Sequence, residues 1–569
     1  MNQRIDLLPV DEQQNHHARE AARHSISWPV NLAPASVSYQ SDGHVLILGN
    51  EHHARLAARA LEGQGPTSVT LVFTEAVAED ETPQDDDLLS ATAHLTHHVL
   101  LRDQLRQLRI EGHLGQFSVT LMKDGTALDL ARALAGLAHF DAILDLGRSP
   151  LLTLELPPPG YVAMPWTAVD RDDQLEAFAG LVGEFDKPRY FQINKELCAH
   201  SASGKVGCTR CLDVCPADAI TSHQGRIESW VEIDPFRCHG VGSCSSACPT
   251  GAIQFRMPET HRQQETLLAW LEAYRKAAGT APVVRFGEAE DLSGEGDTPG
   301  HVLDVPLQEL GAAGHDQWLT ALAGGAAQVR VQCHPGMPER LTDFIDDQLT
   351  QAWGLLRALG HCPSRIQRLD AGDTGARDAL PSEAPLTDEA LTFGSTNKRE
   401  RLNIVLDRLS RLGEPDGQRH GLGGNAAYGN IDVDQNACTL CLACVTNCPT
   451  PALAAGEDSP LLSFREADCV QCGLCAQSCP EDAIRLMPGF LADAARSERR
   501  VCHEEAPFEC IRCGKPFATV STVESIKTKL ADHPYFSGDA MARLEMCEDC
   551  RVKDIWHEMA RNPDAQLKV

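Results

Sequence analysis

The sequence predicts a multidomain chain of mixed class, α/β plus α+β. Two small cysteine-built modules are inserted among α/β domains, and a small four-cysteine metal-binding domain closes the C-terminal end. Three observations predict it. At 569 residues, 43% of them hydrophobic, the chain can fill about four cores of roughly 150 residues each. Its 22 cysteines are bunched, mostly two or three residues apart, which is a metal-ligand spacing and not a disulfide framework. Between the bunches, strand-like and helical runs alternate.

The first predicted domain covers residues 1–185. Apolar runs at His44–Leu48, Ser68–Phe73 and Ala142–Leu146 alternate with Ala/Leu/Arg-rich helical stretches, the pattern of a parallel sheet. Gly49 followed by a helix invites a dinucleotide reading. A G-x-G-x-x-G fingerprint, however, needs glycines where Glu51 and Ala54 stand, and a glutamate facing a pyrophosphate is unfavourable. A docking or relic domain is preferred to a flavin or nicotinamide site.

Residues 186–260 hold the first cysteine module. Cys198 is followed by nine residues and then by Cys208, Cys211, Cys215 and Pro216. The glycines and small polar residues of that gap suit a loop that leaves the site and returns to it. The second half reads Cys238, Cys244, Cys248 and Pro249, with Val241 where a further ligand belongs. Valine cannot bind a metal.

Residues 261–370 read as a second α/β domain, with helices around 266–276 and 341–359 and strands near 283–286 and 329–331. The stretch from Ala323 to Cys333 faintly resembles the iron-sulfur delta-subunit domain of hydrogenase-linked complexes. That family uses several cysteines, whereas only Cys333 and Cys362 occur here, so both are read as buried structural thiols. Residues 371–428 are expected to be a linker and helical connection, because 371–400 is rich in Asp, Gly, Pro and Ser.

Residues 429–490 carry the clearest signal. Cys438, Cys441, Cys444, Cys448 and Pro449, then Cys469, Cys472, Cys475, Cys479 and Pro480, repeat C-x2-C-x2-C-x3-C-P. Matching small and aliphatic residues follow each proline, so the module is an internal duplication whose halves share one core. Zinc also takes paired CxxC motifs, but the third cysteine and the trailing proline favour iron and sulfide.

Residues 430–488 resemble a bacterial two-cluster ferredoxin. The resemblance implies crossed ligation: one [4Fe-4S] cluster on Cys438, Cys441, Cys444 and Cys479, and another on Cys469, Cys472, Cys475 and Cys448. Carried to the earlier module, it implies a third [4Fe-4S] cluster on Cys198, Cys208, Cys211 and Cys248. Cys215, Cys238 and Cys244 are left for the fourth centre, which resembles that of the seven-iron ferredoxins. Three outcomes stay open there: a [3Fe-4S] cluster, a [4Fe-4S] cluster completed by water or a side chain, or no cluster. His200 and His239 are candidates for that side chain, although each reads better as a surface or supporting histidine.

In residues 491–569, Cys510, Cys513, Cys547 and Cys550 form two CxxC pairs with tetrahedral zinc spacing. A structural zinc site of treble-clef or ribbon type is expected. A further iron-sulfur cluster with Cys502 as a spare thiol is the alternative. Lys527 and Lys529 read as a solvated helix face.

The 50 Lys and Arg against 80 Asp and Glu give a net charge of −30, and aromatic residues make up 5%, which together argue against a nucleic-acid surface. No secretory signal and no run of about 18 apolar residues is visible, so the chain is expected to be cytoplasmic with no membrane span. G-x-S-x-G, G-x-x-x-x-G-K-[ST] and H-E-x-x-H are missing. The two modules, the Gly183–Pro188 lead-in and the terminal Cys510 and Cys547 pairs resemble polyferredoxin-like proteins associated with formate dehydrogenases and similar molybdenum or tungsten enzymes. That resemblance implies a relay of single electrons from a dehydrogenase to another redox carrier. The rival expectations are a flavin- or nicotinamide-dependent oxidoreductase subunit using the clusters as an internal wire, and a non-redox scaffold.

Overall fold

The computed structural model describes residues 11–561 apart from 32–34, 77–85, 101, 124, 201–203, 227, 293–297, 458, 535 and 537. Helix α1 (Glu12–Ser25) starts at Asp11, whose carboxylate accepts from the Gln14 amide at 3.0 Å. Ala18 and Ala22 are fully buried, yet in the core of the second α/β domain and not of the first. Asn15 Oδ1 accepts from the Thr280 amide at 2.7 Å, and Trp270 Nε1 donates to Ile26 O at 2.8 Å. This corrects the expectation that α1 belongs to a 1–185 unit. Helical periodicity reports that a face is apolar, not which sheet it will cover.

The first α/β domain contains the parallel sheet its alternation predicts, but part of the stretch expected to be helical, residues 108–129, forms three antiparallel strands instead. Strands β1 (His44–Asn50), β2 (Ser68–Glu75), β3 (Thr96–Val99), β4 (Ala142–Asp145) and β5 (Tyr161–Ala163) form a wholly parallel sheet in the order β3-β2-β1-β4-β5. Helix α2 (Glu51–Leu61) is capped by Asn50, and Glu51 in its first turn is bound by Arg55 Nε at 3.0 Å and Nη2 at 2.8 Å. Strand Gly183–Pro188 pairs antiparallel with Ser36–Ser41 and so ties this domain to the first cysteine module.

The second α/β domain comprises α3 (Thr260–Lys276), β6 (Val283–Glu288), β7 (Val302–Leu307), α4 (His315–Ala323), β8 (Gln328–Gln332), α5 (Glu339–Ala358) and β9 (Ile366–Leu369). Its parallel sheet runs β7-β6-β8-β9. The following segment is no free linker. Arg330 donates to Arg377 O and Ala379 O, Arg365 donates to Ala384 O, and Leu391 is buried in the domain's core. Polar composition misled here because these contacts run through the segment's backbone carbonyls, which every residue type carries. Helix α6 (Lys398–Leu412) then packs Leu402, Val405, Leu406 and Leu409 into the same core.

The two cysteine modules share one plan. In the first, Phe191–Ile193 pairs with Ile253–Phe255 and Ile220–Gln224 with Ser229–Ile233. In the second, Gly429–Val433 pairs with Ile484–Pro488 and Leu453–Ala455 with Leu461–Arg465. Strand Arg499–Glu504 extends the latter sheet into the C-terminal part, which ends in α7 (Val520–Leu530) and α8 (Glu548–Arg561). No described helix is long and apolar enough to cross a membrane.

Candidate metal centres

In the two modules, each cysteine run carries a helix of one turn that ends one or two residues before its last cysteine, ahead of the proline. The loops need left-handed backbone. Gly242 and Gly473, at φ 91° and 82°, precede the helices Ser243–Ala247 and Leu474–Ser478, and Leu442 takes the same role at φ 60° before Ala443–Thr446. The turn aims amides at sulfur. The amides of Gly240, Leu440, Gln471 and Leu474 donate to the thiols of Cys238, Cys438, Cys469 and Cys472, each two residues upstream. Ala219 N reaches Cys215 Sγ at 3.4 Å, and Ala483 N reaches Cys479 Sγ at 3.3 Å in the repeated position.

The second module gathers its eight thiols into two groups. Cys438, Cys441, Cys444 and Cys479 line one cavity with Leu440, Leu462 and Ile484. Cys448, Cys469, Cys472 and Cys475 line another with Ile431, Phe464 and Leu486. In the first module, Cys211 lies within electrostatic reach of Cys248, Cys208 and Cys198, and Cys238 of Cys215. Cys244 is buried within electrostatic reach of Cys238 and Cys215.

Burial, then the crowding of like thiols, pushes Cys444 up to about 12. Burial lifts Cys472 to about 12 and Cys238 to about 11, against the amides that donate to them. Bare thiolates are therefore unfavourable in these cavities, and a polycationic inorganic core is what the donor set fits: several soft sulfurs, amides aimed at them and apolar walls.

The four terminal sulfurs differ. Those of Cys510, Cys513, Cys547 and Cys550 all lie within 4.8 Å of one another, with Cys513 and Cys547 at 3.6 Å. A tetrahedral ion with bonds of about 2.3 Å sets sulfurs about 3.8 Å apart. A cubane, which interposes an iron-sulfide edge between each pair, needs more. Burial opposes the Cys510 thiolate, but amides of Cys547, Arg512 and Cys513 donate to it and hold its thiol down at about 6. Cys502 is not beside this group. It is buried near Cys438, and Arg500 Nη1 reaches its sulfur at 3.4 Å.

Other expected residues are also placed. His200 is buried, not at the surface, with Nδ1 donating to Cys208 O at 3.0 Å and Nε2 facing Ser222 Oγ at 2.9 Å. His239 donates to Pro157 O at 2.9 Å. Val241 packs toward the core of the second α/β domain. Cys333 is buried as expected, whereas Cys362 is exposed and faces Ser364 Oγ at 2.9 Å, because it precedes the short turn that leads into β9. Lys527 and Lys529 sit on an exposed helix face and pair with Glu545 and Glu481.

Sequence reading missed three cations. Arg210 Nη1 lies 3.4 Å from Cys208 Sγ and 3.1 Å from Val470 O. Lys398 Nζ donates to Ser245 O at 3.0 Å and Ser246 O at 2.8 Å. Arg399 donates to Ala467 O and Cys469 O, both at 2.8 Å. Apart from Cys208 Sγ, their targets are backbone atoms of distant loops, for which no spacing rule exists.

Two family models, each described as a 4Fe-4S dicluster domain, match residues 206–252 and 437–484. Among curated proteins, the chain is similar to two uncharacterized ferredoxins of Methanocaldococcus jannaschii. One is 30% identical over 73 residues, 13% of this chain and 86% of that protein, and the other 32% identical over 60 residues, 10% and 95%. The chain belongs to the ferredoxins. Two ferredoxin domains of the [4Fe-4S] type are thus embedded in a chain several times longer than either relative, and such domains imply electron transfer with a redox partner.

Proposed function

We propose that this ferredoxin is a multi-centre relay that takes single electrons from a dehydrogenase of the formate dehydrogenase type, a molybdenum or tungsten enzyme, and hands them to another carrier. The observation that carries the reading is that neighbouring thiol groups lie within electrostatic reach: Cys211 of Cys244 in one module and Cys444 of Cys475 in the other. Cys438, Cys441, Cys444 and Cys479 would hold one [4Fe-4S] cluster, Cys448, Cys469, Cys472 and Cys475 a second, and Cys198, Cys208, Cys211 and Cys248 a third. Cys215, Cys238 and Cys244 would hold a [3Fe-4S] cluster, and Cys510, Cys513, Cys547 and Cys550 a structural zinc ion. When bound, the clusters supply reversible one-electron chemistry that breaks no bond of the polypeptide.

The chain's residues do the rest. Apolar walls such as Leu440, Leu462, Phe464 and Leu486 exclude water from the sulfurs. Amides two residues beyond the ligands donate to the thiolates and favour the more negative, reduced state, which raises its potential. The test is anaerobic purification of the full chain with counts of iron, sulfide and zinc, electron paramagnetic resonance of oxidised and reduced samples, and affinity capture from the same cells. Three [4Fe-4S] signals, one oxidised three-iron signal, one zinc per chain and a co-purifying dehydrogenase are expected. Reconstituted protein that binds no iron, or clusters that cannot be reduced and reoxidised, would overturn the relay.

A further inference from the structure

We infer that the two ferredoxin modules are not separate carriers on one chain but a single conductor, with Arg210 as the positioning residue that joins them. The inference rests on the relay reading and adds the link between its halves. Cys208 of the first module and Cys472 of the second lie within electrostatic reach of each other. One guanidinium nitrogen spans the junction: Arg210 Nη1 touches Cys208 Sγ at 3.4 Å and Val470 O, beside Cys469, at 3.1 Å. The same side chain, only 8% exposed, donates through Nε to Asn425 O at 2.6 Å. Its charge is thus fixed at a ligand sulfur of one module and at the ligand loop of the other.

The rest of the seam is close-packed. Gly207 lies against Leu474, the fully buried residue between Cys472 and Cys475, so closely that an added Cβ would meet its Cγ at 3.0 Å. Gln477 Nε2 donates to Val206 O at 3.1 Å, and Lys205 donates to Gln477 O. From α6, consecutive residues hold both sides: Lys398 grips Ser245 O and Ser246 O between Cys244 and Cys248, while Arg399 grips Cys469 O. Each thiol group therefore has the next within electrostatic reach: Cys244 has Cys211, Cys472 has Cys208, and Cys475 has Cys444. Across the seam an electron that leaves one side, Cys208's or Cys472's, arrives on the other. The one-electron donor is the relay's external reductant, and no proton or bond changes hands.

The test is Arg210→Met in the full holoprotein reduced with dithionite, beside wild type and Arg210→Lys. In wild type the resonance spectrum should show magnetic interaction between the modules. Arg210→Met should keep wild-type iron, lose that part of the splitting and shift the midpoint of one centre to lower potential, because a positive charge beside a ligand sulfur has gone. Arg210→Lys should restore the midpoint in part, which a merely structural role would not predict. Full iron with unchanged splitting and midpoints in Arg210→Met would overturn the inference. Should Arg210→Met lose iron, Gln477→Ala, which removes only a rim contact, decides: reduced splitting at full iron supports the junction, and wild-type splitting overturns it. Reversibly reducible clusters that show no coupling between modules in wild type would sink this inference and leave the relay reading standing. Clusters that cannot be reduced would sink both.

Discussion

Glu309 shows how a single side chain can tie stability to pH. Its carboxyl is pushed up to about 7, first by burial and then by Glu288, with His334 pulling it back and Glu290 adding to the rise. Glu288 is held in place, accepting from the Leu310 amide at 3.1 Å and facing His334 at 3.4 Å. The folded chain therefore keeps the Glu309 proton at pH values where the unfolded chain has released it. Stability falls as pH rises from the ordinary glutamate range to about 7, then levels off. Glu309→Gln is expected to remove that slope and to leave the variant about 1–2 kcal/mol more stable than wild type at pH 8, after allowance for solvent screening. Urea midpoints of both proteins at pH 5 and pH 8 check it: equal differences at the two values would refute the assignment.

At the level of elements, α6 and the terminal four-cysteine unit make opposite kinds of connection. Helix α6 works through its first two residues, and Arg399 satisfies two buried carbonyls of the ligand-bearing segment while stacking over Tyr428 at 5.0 Å. Arg399→Ala strands the Cys469 carbonyl, while Ala467 O keeps Asn403 Nδ2 at 3.0 Å; about 2 kcal/mol should be lost, read as a lower thermal midpoint and faster bleaching in air. The terminal unit has a thin core of Cys510, Met546 and Cys547, so its order would depend on the zinc ion proposed for it. Cys547→Ser should release about one metal ion per chain, leave the ferredoxin iron unchanged and expose α8 to proteolysis; simultaneous loss of iron would show that the unit is not independent. The cysteine runs were legible in sequence because metal ligation is local and dictates spacing. The start of α3 was not: Gln263 and Gln264 are buried polar residues, and an apolar period cannot register them. Nor was Arg399, whose partners lie in another module and are backbone atoms.

On the scale of the whole molecule, the N-terminal segment bypasses the domain that follows it. The parallel order of both sheets could be read from alternating apolar runs, but the docking of α1 on α3 depends on contacts that carry no local signature. Ala18 and Ala22 have no exposure, and small residues at those positions let the two helices approach closely. Trp28 packs on Trp270 with ring centroids 5.2 Å apart, Arg19 donates to Pro299 O at 3.2 Å, and Tyr274 is fully buried beneath the helix. Removing residues 1–31 would expose Trp270, Leu271 and Tyr274 and leave Asn15's partner, the Thr280 amide, without its acceptor. At about 1.5–3 kcal/mol per large side chain, only part of which is uncovered, the loss should come to about 3–5 kcal/mol. It should fall on the second α/β domain and not on the first. Hydrogen exchange is the discriminating measurement. The truncated chain should lose protection across 260–288 while β1, β2 and β4 exchange at wild-type rates. Because α4, α5 and α6 share a core with α3, the loosening should spread to the seam between the ferredoxin modules before it reaches the N-terminal sheet. Loss of protection in β1 and β4 first would mean that α1 stabilises the domain next to it in sequence after all.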